Sequence, residues 1–114
     1  MTHKTDLATM RAAVAHDPAF RPNGRTFYRA VFLAEEIIDR FIADPKCDAV
    51  PLSLTRFQAM CSLKRRTAER AYSLVRQSGW FVTEQHASGP TLWRIADPPT
   101  PHVRKLMESV AAAE

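Results

Sequence analysis

The sequence predicts a mostly α-helical fold with one small β-hairpin, and three observations predict it. Apolar residues recur at spacings of three and four through residues 26–43 (Phe27, Val31, Ala34, Ile38, Phe41) and again through 64–78 (Ala68, Ala71, Tyr72, Val75), the mark of amphipathic helices. Two runs rich in β-branched and aromatic residues, Trp80-Phe81-Val82-Thr83-Glu84 and Thr91-Leu92-Trp93-Arg94-Ile95, flank a loop holding Gly89 and Pro90, which is a hairpin signal. Charge is gathered in one segment. The 16 Lys and Arg against 12 Asp and Glu leave the chain at +4, yet residues 53–79 carry six basic side chains and one acid, +5, so the remainder holds ten against eleven, −1.

In chain order, residues 5–15 read as a first helix, with Thr5 as N-cap, Asp6 in the first turn and Leu7, Met10 and Val14 on one stripe. His16-Asp17-Pro18 ends it. Ala19 to Gly24 reads as a connecting loop and a mobile hinge, since Pro18, Pro22 and Asn23-Gly24 all break helices. Arg25 or Thr26 to Ala43 is the strongest helix, its stripe widened by Tyr28, Phe32, Leu33, Ile37 and Ile42 and its minor polar face made by Arg29, Glu35, Glu36, Asp39 and Arg40. Such a helix needs cover on two sides, one from the segment that follows and one from a terminal helix or a second subunit.

Asp44 to Asp48 leaves this helix, and Ala49-Val50-Pro51-Leu52 is expected to form a short strand that Pro51 confines to an edge. Ser53 caps a short helix, Leu54 to Met60, with Arg56 and Gln58 outward. A turn at Cys61-Ser62-Leu63 leads to a longer helix, Lys64 to Ser78, with Gly79 as its stop. On a helical wheel Ala68, Ala71, Tyr72 and Val75 face inward with Leu74 on the flank, while Arg66, Glu69, Arg70 and Ser73 form the outward arc, edged by Arg65 and Arg76. Trp80 and Trp93 are expected to pack in the core. Thr100 as N-cap and Pro101 as first helical residue open a last helix striped by Val103, Leu106, Met107 and Val110.

Two helices joined by a short turn and followed by a hairpin is the order of a winged helix-turn-helix. The expected organisation is an N-terminal helix and loop (1–24), a winged helix-turn-helix (25–97) and a C-terminal helix (98–114). MCSLKRRTAERAYSLVRQSGWF resembles the turn, recognition helix and first wing strand of the GntR-like and MarR-like winged-helix regulators, through Leu63, Arg65, Arg66, Thr67, Ala71, Val75, Gly79, Trp80 and Phe81. The resemblance covers residues 26–96 and implies DNA binding through the second helix of the pair, usually as a dimer. Ser62 stands where those turns often carry Gly, which is tolerable if its φ is ordinary. The wing is poor in basic residues, and no ligand-binding domain is expected to follow.

The expected function is sequence-specific binding of double-stranded DNA by a transcription regulator acting through operator occupancy, as a homodimer. Candidate DNA contacts are Arg56, Lys64, Arg65, Arg66, Thr67, Glu69, Arg70, Ser73, His86 and Arg94. Arg can bond guanine in the major groove, Glu can accept from cytosine, and other cations hold phosphate. A replication or partition protein of plasmid or phage, or a winged-helix module that meets an acidic protein, would use the same arc. A solvated helix face is the plain alternative.

With 114 residues, a DNA-binding domain and a full effector domain would not both fit, so no small-molecule effector is expected. No apolar run reaches the roughly 18 residues of a membrane span, and the start, MTHKTDLATM, has no apolar core of a secretory leader. Cys47 and Cys61 form no CxxC pair and no zinc set with His3, His16, His86 and His102. A reduced, cytoplasmic, nucleoid-associated protein without metal or cofactor is expected. No phosphate loop and no nucleophile beside a base is visible, so no enzymatic activity is expected.

Overall fold

Leu7, Met10, Ala13 and Val14 share one face of the first helix, and burying that face begins the core. The structure, a computed structural model, describes residues 4–23, 25–85, 87 and 89–113. Helix α1 (Lys4–Val14) starts one residue ahead of the expected Thr5 cap, a difference within the usual ambiguity of helix ends.

The segment expected as a loop is instead a short 3-10 helix, Pro18–Asn23. Its Phe20 is fully buried, and the side chain of Asp17 caps its start by accepting from the Ala19 N–H at 2.9 Å. An aromatic anchor and a cap replace the expected hinge with a packed turn; Gly24 lies outside the described residues. Asp17 is also buried. Trp80 Nε1 donates to its Oδ2 at 2.7 Å, and His102 Nε2 lies 2.8 Å from its Oδ1. One carboxylate joins the exit of α1, the chain after the fourth helix and the start of the last one.

Helix α2 (Arg25–Ala43) buries Ala30, Leu33, Ala34, Ile37, Ile38 and Phe41. One side packs on the fourth helix and the other on α1 and the 3-10 helix, so the second cover comes from within the chain. Arg11 of α1 fastens this contact through Glu35 at 2.9 Å and Asp39 at 2.7 Å. Tyr28 and Phe32, expected to widen the buried stripe, remain 75% and 42% exposed; the side chain of Phe27 is outside the described set.

Strand β1 (Val50–Pro51) leads to α3 (Leu54–Cys61), whose N-cap Ser53 accepts from the Arg56 N–H at 3.0 Å. Ser62 closes α3 in the left-handed conformation, φ 52 and ψ 45. Its N–H reaches Ala59 O and the Leu63 N–H reaches Gln58 O at 3.1 Å, a Schellman closure. The condition under which Ser in place of Gly costs nothing, an ordinary φ, is not met here: the turn uses the conformation that glycine adopts freely. Helix α4 spans Arg65–Gln77, one residue shorter at each end than expected, because Lys64 is extended and Ser78 no longer continues the helix. Gly79 then turns the chain at φ +88.

Strands β2 (Phe81–Glu84) and β3 (Leu92–Ile95) form the expected antiparallel hairpin, and β1 joins the free side of β3 with Val50 opposite Trp93. The sheet order is β1-β3-β2, which leaves Pro51 on an edge strand. Trp80 and Trp93 are fully buried as expected. Trp93 meets Tyr72 and Phe81 edge-on, with centroids 5.1 and 5.8 Å away. Its indole N–H and the Tyr72 hydroxyl both donate to Leu52 O. This aromatic cluster fixes α4 against the sheet. Helix α5 (Pro101–Ala113) packs on α1, capped by Thr100 and anchored by the buried Val103. One core cluster draws on α1, the central elements and α5 together.

Candidate functional site

Small residues on one side of α4 decide what the other side presents. Ala68 and Ala71, with Tyr72 and Val75, are buried against the core, and Arg66, Glu69, Arg70 and Ser73 are exposed on the opposite arc. These four, with Leu74 and Gln77, line an open depression of about 460 Å³. Lys64, Arg56, Arg66 and Arg70 have no ion-pair partner among the described residues. The arc therefore offers free guanidinium groups beside short polar side chains.

Arg65 is placed differently. Its Nη1 donates to Thr55 Oγ1 at 3.2 Å and to Gln58 Oε1 at 3.3 Å, and its Nε lies 3.8 Å from Glu69. Gln58 in turn donates to Leu63 O at 3.1 Å. Arg65 and Gln58 brace α3, the turn and α4, so the outward Gln58 of the sequence is a strut. Glu69 leans towards Arg65, which leaves Arg66 and Arg70 uncompensated.

Among the described residues, the hairpin reaches the site through its tip. Gln85 and Gly89, near its tip, line a groove of about 350 Å³ with Thr55, Arg65, Ser73 and Arg76. His86 lies outside the described residues. Arg94 is held elsewhere: it pairs with Glu84 at 2.6 Å and lines a separate depression with Lys46, Asp48 and Asp97. The structure thus brings Lys64, Arg65, Arg66, Thr67, Glu69, Arg70 and Ser73 together on α4 and its entry, with Arg56 on the adjoining α3 and Arg94 apart from both.

Burial pushes the Tyr72 hydroxyl up, against opposing pulls from its hydrogen-bonding neighbours and Arg76. It also pushes the Cys61 thiol up, although Arg29 acts in the opposite direction. Arg29 and Arg76 are not among the candidate residues of the sequence, because Arg29 sits on the polar face of a helix whose pattern marks it as core and Arg76 at the margin of the arc. No group of three or more His, Cys, Asp or Glu among the described residues could hold a metal, and no described helix is long and apolar enough to cross a membrane. No protein-family model, curated protein or solved structure matches the chain.

Proposed function

We propose that the chain is a winged helix-turn-helix protein that binds double-stranded DNA sequence-specifically and regulates transcription by occupying an operator. The order α2-β1-α3-α4-β2-β3, with β1 on the open side of β3, supports the winged-helix reading. The observation that carries the function is where the cations lie, with Arg56, Lys64, Arg66 and Arg70 free of ion pairs among the described residues and Arg65 held by Glu69. Lys64, Arg65 and Arg66 crowd the N-terminal end of α4, with no acid in its first turn and no side-chain cap. Cations at that end oppose the helix dipole by about 0.3–1 kcal/mol each, and Arg66 and Arg70 repel at i, i+4. A helix that tolerates this is arranged for an external anion. The free arginines of the arc suit guanine edges, and Arg56 suits a phosphate.

The proposal includes a homodimer on DNA, with two copies of α4 addressing half-sites about 34 Å apart. Since α1 covers α2 internally, a surface offered to a second copy is the exposed Phe32 of α2 and the half-buried stripe of Leu106, Met107 and Val110 on α5. Sedimentation with and without the selected duplex tests the stoichiometry; a single copy per site contradicts it.

The experiment for the function itself is selection of bound duplexes from random DNA, followed by salt titration. With about four to six phosphates neutralised per protomer, log K falls against log salt with a slope of roughly −4 to −5. Failure to retain any duplex at low salt contradicts the proposal, and retention of an acidic protein in its place supports an interaction module.

A further inference from the structure

The charged residues of α2 beyond its first turns are matched within the chain. Glu35 and Asp39 hold Arg11, and Glu36 holds Arg40 at 3.3 Å. Arg29 is exposed and has no ion-pair partner among the described residues. It stands near the end of α3, where its charge reaches the Cys61 thiol. With Tyr28, Ser62, Leu63, Lys64 and Thr67 it lines a depression of about 600 Å³ between the start of α2 and the α3–α4 turn. Among the described residues, no carboxylate lines this depression. It holds two free cations, the hydroxyls of Ser62 and Thr67, and the cationic N-terminal end of α4 along one wall.

We propose that this depression seats a backbone phosphate of bound duplex DNA, held by Arg29 and Lys64, so that the interface extends past the turn onto α2. The inference rests on the DNA-binding reading and adds a contact to it. Charge complementarity selects the occupant, because two unpaired cations beside hydroxyl donors match a phosphodiester and oppose a cationic or apolar partner. The contact is sequence-independent, since it reaches the backbone and leaves base edges to the arc of α4.

The test is a set of salt titrations with Arg29→Ala, Arg29→Glu and Arg29→Lys against a selected and a scrambled duplex. Melting curves matched to the unmodified protein show that the exposed substitutions leave the fold intact. One phosphate contact carries about 0.9 of the log–log slope, so its loss weakens binding roughly eight-fold at about 0.1 M salt. Arg29→Ala is expected to lose that much on both duplexes and about one from the slope. Arg29→Glu loses more, and Arg29→Lys retains most of the affinity. If Arg29→Ala and Arg29→Glu bind within about two-fold of the unmodified protein while Arg66→Ala still relaxes specificity, DNA binding stands and the α2 contact is overturned. A loss confined to the selected duplex also overturns it, because Arg29 would then read bases. If the unmodified chain retains no duplex at low salt, both readings fall together.

Discussion

The indole N–H of Trp80 donates to the buried carboxylate of Asp17 at 2.7 Å, across 63 positions of sequence. His102 and the Ala19 N–H share the same side chain, so the approach to the hairpin and both terminal helices are tied at one point. Asp17→Ala leaves the buried indole N–H without an acceptor and removes the cap of the 3-10 helix. The expected loss is about 3 kcal/mol or more in urea denaturation. Asp17→Asn keeps the shape and part of the acceptor capacity, and loses less. A cost below about 1 kcal/mol for the alanine variant would show that the clasp contributes little.

Two backbone positions predict changes of opposite sign. Ser62 carries a side chain at φ 52, where non-glycine residues are strained by about 1–2 kcal/mol. Glycine relieves the strain and gives back part of the gain through unfolded-state entropy, so Ser62→Gly is expected to stabilise by about 0.5 kcal/mol. At Gly79 φ is +88, and an added Cβ would meet Thr100 Oγ1 at 2.9 Å. Gly79→Ala is expected to cost about 2 kcal/mol and to disturb the Thr100 cap of α5. Paired melting curves check both; the same sign for the two variants would contradict the assignment.

These positions also mark what sequence could and could not convey. The stripe of Leu33, Ile37 and Phe41 and the hairpin runs around Trp93 are local patterns, and the five helices and the small antiparallel sheet follow them. Pro18 and Pro22 break α-helical periodicity and so suggest a loop where the 3-10 helix lies, whereas its stability comes from burying Phe20, a tertiary fact. The Asp17 cluster depends on partners far away in the chain, which no periodicity encodes. At the candidate site the arc of α4 could be read from a helical wheel. That Arg65 is tied to Thr55 and Gln58 could not, because the wheel of one helix carries no information about its neighbours; the pair of Arg94 with Glu84 depends on the register of β2 against β3, which two strand-like runs do not state.

The Cys61 thiol is raised chiefly by burial, with Arg29 opposing. Its thiolate population at neutral pH is therefore below that of an ordinary cysteine, and the thiolate is the reactive species. Alkylation by iodoacetamide at about pH 7.5 is expected to be slower at Cys61 in the folded protein than in urea. The folded rate rises with pH along a curve displaced to higher pH than the unfolded one. Rates that coincide in the two states would contradict the burial of this thiol.

Arg65 and Arg66 are neighbours with different expected roles. Arg65→Ala breaks the brace between α3 and α4, and because the pair with Glu69 is exposed the stability cost is expected within about 1 kcal/mol. Its loss of DNA affinity should fall on selected and scrambled duplexes alike, as a change in how α4 is held. Preferential loss on the selected duplex would make Arg65 a base reader.

The most direct test of the central proposal is a pair of titrations for Arg66→Ala and Arg70→Ala, with Arg56→Ala as the comparison, each against the selected and the scrambled duplex. At least one of the two α4 variants is expected to lose about 1–3 kcal/mol at the selected site and to relax discrimination at one base pair, while Arg56→Ala weakens both duplexes equally and lowers the salt slope by about one. Equal losses on both duplexes for Arg66→Ala and Arg70→Ala alike would mean that α4 contributes charge and no readout, contradicting its assignment as a recognition helix.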